Sequence, residues 1–184
     1  GGEVSRAVDE SSRHAITKFA HIHFPANKDA TKRIIKMGED PKCVYNIGCP
    51  RIDLVKNTIS SKIKINLNNL NKLGVGNEIN FDKDFIIVSQ HPVTTEYGDA
   101  LDQIMITLRA IDELKTQALI LWPNPDAGSE DIAKGIRKFR ENKITSKMRF
   151  LKNIPISEYM LLMNKTKCIV GNASSGIREG AYIG

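Results

Sequence analysis

Residues 171–180 read GNASSGIREG and follow the apolar run Cys168-Ile169-Val170. Small side chains leave backbone amides bare, and amides at the start of a helix are what an anion needs. Three other short stretches follow apolar runs or close them: QHPVTTE (90–96), PNPDAGS (123–129) and KNIPIS (152–157). Each carries Pro, Gly or polar residues in place of a generic Lys/Glu loop. His91 precedes a proline, which holds its backbone extended. An imidazole there can pair with a phosphate or shuttle a proton, or it can simply bond a nearby carbonyl; position alone leaves both open. The stretch VDESSR (8–13) sets Asp9 and Glu10 at the start of a helix with Arg13 one turn on. Acids are common in a first helical turn, where they complement the dipole and cap the amides. The same residues also make a paired acid/base beside a charge-tuning arginine. His21 and His23 flank Ile22 and would share one face of a strand, but with no acidic or cysteine ligand nearby a metal site is not expected there. His14 reads as helix surface or domain interface.

The elements that must carry these residues are legible in the apolar pattern. A helix over 9–20 sets Ala15, Ile16, Phe19 and Ala20 on one side. HIHFPA (21–26) alternates like a strand, Asn27 caps a helix with Ala30, Ile34 and Met37 on one stripe, and Gly38 stops it. Lys42 to Ile47 reads as a further strand. From 54 to 84 the pattern loosens into Asn and Lys and is expected to be a connecting helix and linker. After it the rhythm is regular. FIIVS (85–89), ALILW (118–122), Arg149-Phe150-Leu151 and Cys168-Ile169-Val170 are strands. Between them, helices run over 99–114 (Leu101, Ile104, Met105, Leu108 and Ile111 inward), from Ser129 (Ile132, Ile136, Phe139) and from Ser157. Such alternation predicts a parallel α/β sheet. Its ligands bind beyond the carboxyl ends of the strands, which is where all four loops fall.

Bulk properties narrow the classes. Hydrophobic content of 41% and charged content of 26% are those of a globular protein. No apolar run reaches the ~20 residues of a membrane span, and no signal peptide is evident, so no membrane partner is expected. The three cysteines are odd in number and form no C-x-x-C pair, pointing to a reducing cytoplasm. The net charge of +6 suits an anionic ligand as well as an ordinary lysine-rich surface. The lysines are scattered without interleaved aromatics, so nucleic acid is not an expected partner. The chain lacks a start methionine and stops within a helical pattern, and both ends are expected to be cut.

The segments GGEVSRAVDESSRHAITKFAHIHFPA, HPVTTE, WPNPDAGS and GNASSGIREG, in this order and spacing, resemble the hydrolysing UDP-N-acetylglucosamine 2-epimerases of sialic acid and related nonulosonic acid biosynthesis. The resemblance covers the chain apart from 54–84. It implies a GT-B arrangement, two Rossmann-like parallel-sheet domains facing a cleft. Residues 1–60 would end the N-terminal domain, 61–83 connect, and 84–184 form the first half of the C-terminal nucleotide-binding domain. The family's two further carboxylates lie upstream of the opening GG, and an arginine used on the nucleotide lies beyond the final helix. The chain alone is therefore expected to be inactive and the full-length form a homo-oligomer, dimer or tetramer.

By the same resemblance Asp9 matches the family's catalytic carboxylate, with Glu10 and Arg13 as its motif neighbours. His91 matches the histidine at the diphosphate and reacting sugar, and Asn124 an asparagine near the nucleotide. Ile154 sits where backbone contacts to the base are made. Ala173 and Ser174 occupy the places of two phosphate-binding serines, and Glu179 that of the carboxylate gripping the ribose hydroxyls. Alanine at 173 removes a hydroxyl contact to phosphate. The implied substrate is a nucleotide sugar, and the implied chemistry, elimination of nucleoside diphosphate followed by rehydration, requires no metal or nicotinamide cofactor. A GT-B glycosyltransferase and a non-catalytic nucleotide or RNA binder share parts of the pattern, but the DES-x-R helix together with HPVT weighs against the first.

Overall fold

The computed structural model describes residues 10–61, 65–93, 96, 98–142 and 147–184. The chain divides into two compact units, Gly1–Leu54 and Val55–Gly184.

The second unit is built on a five-stranded sheet. Its strands are β1 (Val75–Gly76), β2 (Phe85–Ser89), β3 (Gln117–Leu121), β4 (Met148–Leu151) and β5 (Ile169–Gly171), in the order β1-β4-β3-β2-β5. β2, β3, β4 and β5 run parallel, while β1 joins the β4 edge antiparallel. Every residue of β2 and β4 is buried, as expected for strands covered on both faces. The two-residue period of β2 sorts its side chains between two layers. Ile86 and Val88 pack with Ile104, Leu108 and Ile111 of α4 (Ala100–Glu113) and with Ile132, Ile136 and Phe139 of α5 (Ser129–Asn142). Phe85 and Ile87 pack on the other face with Met160, Leu162 and Met163 of α6 (Ile156–Lys165). Each such side chain contributes about 1.5–3 kcal/mol by leaving water, and the predicted stripe of α5 is buried in full. Leu101 and Met105 of the predicted α4 face are only partly buried.

The segment expected to be a linker is instead part of this unit. A 3-10 helix over Leu67–Lys72 and the following residues place Leu67, Leu70, Ile79 and Phe81 in the β2–α6 layer. Two of its asparagines bond to backbone. Asn66 Oδ1 accepts from the Asn68 amide at 3.0 Å, and the Asn71 carboxamide pairs with the Ile79 N–H and C=O at 3.1 and 2.9 Å. The buried guanidinium of Arg149 holds the same segment by donating to the carbonyls of Gly76 (2.6 Å), Gly74 (2.8 Å) and Asn71.

The first unit contains α1 (Glu10–Phe19) and α2 (Lys28–Lys36), the latter capped by Asn27 Oδ1 on the Ala30 amide at 2.8 Å and followed by Gly38 at φ +94°. The helix α3 (Pro50–Ser60) runs across the boundary between the units. The two strands expected over 21–26 and 42–47 reduce to one parallel bridge, His23↔Val44. Asp40 caps a 3-10 turn over Pro41–Cys43, which uses up the start of the second. No sheet layer lies among the described residues of this unit. Ile16 and Phe19 are 65% and 82% exposed, and Thr17 is buried instead. The sequence offers no acid near His23, yet the fold brings Glu39 to 3.2 Å from its Nε2. No cluster of metal-ligating side chains occurs among the described residues.

Candidate functional site

Strand order decides where a ligand can sit. The chain winds from β2 to β3 to β4 in one direction, then returns to lay β5 on the other side of β2. The loops leaving β2 and β5 at the carboxyl edge therefore lead to helices on opposite sides of the sheet order, the position where open α/β sheets bind ligands. One of those loops carries His91 and the other carries Asn172 to Ser175.

The β5 exit is a close approach of two backbones. Gly171 has φ +130°, and a Cβ there would fall 2.6 Å from the Ser89 carbonyl carbon and closer still to its oxygen. Only glycine fits that geometry. From it the chain enters α7 (Ser174–Arg178), whose N-cap residue Ala173 (φ −66°, ψ 130°) provides no side-chain cap. A short helix α8 (Gly180–Ile183) follows, with Glu179 between the two in helical conformation.

Side chains knit the loops together. The Asn172 carboxamide accepts from the His91 amide at 2.7 Å and donates to the His91 carbonyl at 3.0 Å. The His91 Nδ1 faces the Asn124 amide at 3.5 Å, the long limit for such a bond. When that N–H donates, the neutral ring carries its own hydrogen on Nε2. Gly128, at φ +86°, lies so near Pro92 that an added Cβ would be 3.1 Å from the proline Cβ, so the β3 exit loop packs on the β2 exit loop. The Tyr159 hydroxyl of α6 meets Ser175 Oγ at 2.7 Å, and Arg178 donates to Ser174 Oγ at 2.9 Å. Lys152 lies over the Trp122 ring, 5.6 Å from its centre, joining the ends of β4 and β3.

Of the residues singled out in the sequence, His91, Asn124, Ala173 and Ser174 share this edge. Ile154 is partly buried against the β2–α6 core layer at the β4 exit. Glu179 is buried, 1% exposed, with Oε2 3.9 Å from Arg178 Nε. Asp9 lies outside the described residues, whereas Glu10 and the exposed Arg13 stand on α1 in the first unit. Sequence reasoning named neither Asn172, Tyr159 nor Arg178. The only local signal for Asn172 was an amide side chain at the first position after the last strand.

Comparison with known proteins adds to this geometry. A profile of the family described as UDP-N-acetylglucosamine 2-epimerase matches residues 1–184. The chain is 32% identical over 186 residues to the GDP/UDP-N,N'-diacetylbacillosamine 2-epimerase (hydrolyzing) of Campylobacter jejuni, covering 99% of this chain and 46% of that protein. It is 33% identical to a UDP-N-acetylglucosamine 2-epimerase of Neisseria meningitidis, again over 46% of the relative. The chain thus spans about half the length of the curated relatives it matches. Among solved structures it is similar in fold to UDP-GlcNAc 2-epimerase from Neisseria meningitidis bound to UDP-GlcNAc (TM-score 0.70, 13% identity, 94% of this chain and 45% of that one). A similar likeness holds to S. aureus MnaA with UDP (TM-score 0.67, 16% identity, 97% and 44%). The fold class is accordingly that of the GT-B-like α/β enzymes. By the profile match over its whole length and by these identities, the chain belongs to the UDP-N-acetylglucosamine 2-epimerase family.

Proposed function

We propose that this protein, at the length of its relatives, is a hydrolysing 2-epimerase. It would convert UDP-N-acetylglucosamine, or a related nucleotide 2-acetamido sugar, to the free 2-epimer sugar and nucleoside diphosphate. On this reading residues 1–60 belong to the end of an N-terminal Rossmann-like domain and 84–184 to the first half of the nucleotide-binding domain. The observation that carries the proposal is the meeting of His91 and the small-residue loop 171–176 at the switch point between β2 and β5. A diphosphate between those loops would take hydrogen bonds from the backbone amides around Ala173 and Ser174 and from the Nε2–H of His91. Asn124 would hold the opposite ring nitrogen.

The reaction follows from what such a site can stabilise. The C2–H of the sugar is a weak acid, and a carboxylate alone removes it poorly. As the bond from C1 to the diphosphate oxygen breaks, C1 gains oxocarbenium character and C2–H becomes more acidic. Asp9, with Glu10 and Arg13 beside it in sequence, is the proposed carboxylate at the reacting sugar. Charge building on the departing diphosphate is met by donors already in place, which lowers the barrier without reorganisation. The pair of electrons from C2–H forms the C1=C2 bond of a 2-acetamidoglucal. Water then adds its oxygen to C1, and a proton returns to C2 on the opposite face. Glu179 would bind the ribose hydroxyls, and because its carboxylate is buried in this structure that contact requires the side chain to turn outward.

The test is turnover of UDP-N-acetylglucosamine by the full-length protein in D2O, followed by NMR. Free 2-epimer sugar carrying deuterium at C2, with one UDP released per sugar, is the expected outcome. Asp9→Asn should nearly abolish UDP release while UDP binding persists. Free sugar formed without deuterium at C2 or inversion there would overturn the proposal in favour of simple hydrolysis. Transfer of the sugar to an added acceptor would overturn it in favour of a glycosyltransferase.

A further inference from the structure

The proposed role of His91 depends on where its ring is held. The ring is on the second residue past the end of β2, where the ladder with β5 has already stopped: the last paired residues are Ser89 and Gly171. A single bond continues the ladder, the Asn172 amide donating to the Ser89 carbonyl at 3.2 Å. In a parallel ladder the next rung would run from the His91 amide to the main-chain carbonyl of residue 172. That rung cannot form in the ordinary way, because the chain turns at Ala173 into α7. The Asn172 side chain takes its place. Its Oδ1 accepts from the His91 N–H at 2.7 Å, and its Nδ2 donates to the His91 C=O at 3.0 Å.

A primary carboxamide presents its acceptor and a donor side by side, so one side chain meets both the His91 N–H and C=O, which further rungs would otherwise take from the carbonyl of residue 172 and the amide of residue 174. Both polar groups of the His91 main chain are thereby satisfied from one side. Pro92 restricts the same residue to extended conformation from the other. The clamp also links two loops that sequence separates by 81 residues, one carrying the imidazole and the other the small-residue anion loop. We infer that Asn172 is a positioning residue: it fixes the His91 backbone, and through it the distance from the imidazole to a diphosphate held by residues 173–175.

This inference rests on the proposed 2-epimerase reading, and the experiment separates the two. In the full-length protein, Asn172→Asp keeps the shape and the acceptor for His91 N–H but sets a carboxylate oxygen against the His91 carbonyl. Asn172→Ala removes both bonds. Each should lower kcat on UDP-N-acetylglucosamine by about tenfold to a hundredfold, the scale of a small misplacement of a reacting group. In Asn172→Ala, UDP affinity by calorimetry should stay within about twofold, since the loop amides remain; in Asn172→Asp the new charge beside the loop should weaken UDP binding as well. In a His91→Ala background, Asn172→Ala should cost less than about twofold more, because a residue acting through His91 has nothing left to position. A merely structural asparagine would instead lower kcat by the same factor in both backgrounds, and that result overturns the inference. Unchanged kcat in both variants of an active protein overturns it too. Absence of turnover by the wild-type protein sinks the 2-epimerase reading instead. The clamp is then judged by hydrogen exchange of the His91 amide, expected to quicken at least tenfold in Asn172→Ala, with an unaltered rate counting against it.

Discussion

Replacing Gly171 by alanine tests the geometry of the β2–β5 edge at its tightest point. Two separate costs can be read from the structure. The first is conformational: φ +130° is outside the region L-residues adopt, and holding a side chain there costs about 1–3 kcal/mol. The second is steric. The added methyl would lie 2.6 Å from the Ser89 carbonyl carbon and 3.1 Å from the Gln90 nitrogen, and both neighbours are backbone, which cannot rotate away. Strand β5 must therefore separate from β2, losing the Asn172–Ser89 bond and at least one adjacent rung, each worth about 0.5–1.5 kcal/mol net. Together these give a destabilisation of about 2–6 kcal/mol for the second unit. Gly98→Ala is the control, because Gly98 also has positive φ (+99°) but no atom of the described residues within 4 Å of an added Cβ; it should show the conformational cost alone. Trp122 is the single tryptophan and lies in the second unit at the end of β3, so its fluorescence during urea unfolding follows this unit specifically. A Gly171→Ala protein no less stable than Gly98→Ala would show that the backbones are not in contact as described.

Three further outcomes are expected. Glu179→Gln should weaken UDP binding by about tenfold or more, since hydrogen bonds to a charged acceptor are worth about 1.5–3 kcal/mol each; unchanged affinity in titration calorimetry would remove Glu179 from the ribose contact. Ala173→Ser restores a hydroxyl at the N-cap of α7, where no side chain now caps the helix. It should tighten UDP binding severalfold, a neutral donor contributing about 0.5–1.5 kcal/mol, whereas identical affinity would mean that backbone amides alone make the contact. In the first unit the hydrogen bond from Lys18, followed by its charge and by His23, holds the Glu39 carboxyl below the usual glutamate range against the opposing effect of burial. A carboxyl depressed in the folded state stabilises fully above its unfolded value, and that stabilisation is lost as pH falls through the lowered folded value. First-unit amides should therefore exchange faster as pH drops through that window once intrinsic rates are corrected for. Glu39→Gln should abolish the pH-dependent part, and a wild-type profile in that variant would contradict the assignment.

What was legible in the sequence and what was not divides along a physical line. β2, β3 and α5 were readable because each buries a periodic or continuous set of apolar side chains against a layer, so burial and pattern coincide. The cap at Asn27 and the stop at Gly38 were readable because capping is local chemistry. The convergence of the loops followed from topology alone, since parallel strands put their carboxyl ends on one edge whatever the loop residues are. The packing of the segment 65–83 was not legible because its buried residues, Leu67, Leu70, Ile79 and Phe81, are too sparse to make a period. Asn66 and Asn71, which read as solvent-loving, bond to backbone. The apolar side of α1 was legible as a pattern too, but in this chain Ile16 and Phe19 on it are exposed.

The candidate site shows the same division more sharply. His91 could be singled out by a local cue, an imidazole between a strand and a proline, yet what holds it comes from a residue 81 positions away. Glu39 reaches His23 across 16 positions, at the far side of a helix, and Tyr159 meets Ser175 across a comparable gap. None of these pairs leaves a trace in periodicity or spacing, because a hydrogen bond between side chains of distant elements constrains only the two residues it joins. A side chain that imitates the backbone is harder still to foresee. The Asn172 side chain supplies both bonds that the next two rungs of β5 would have made, and the need for it arises because α7 begins where the ladder would have continued. The small residues of GNASSG therefore divide their work. Gly171 lets the strands meet, Asn172 carries the ladder on to His91, and Ala173 with the serines leaves the helix amides uncovered. On the proposed reading that division is what lets one loop both bind a diphosphate and position the group that stabilises its departure.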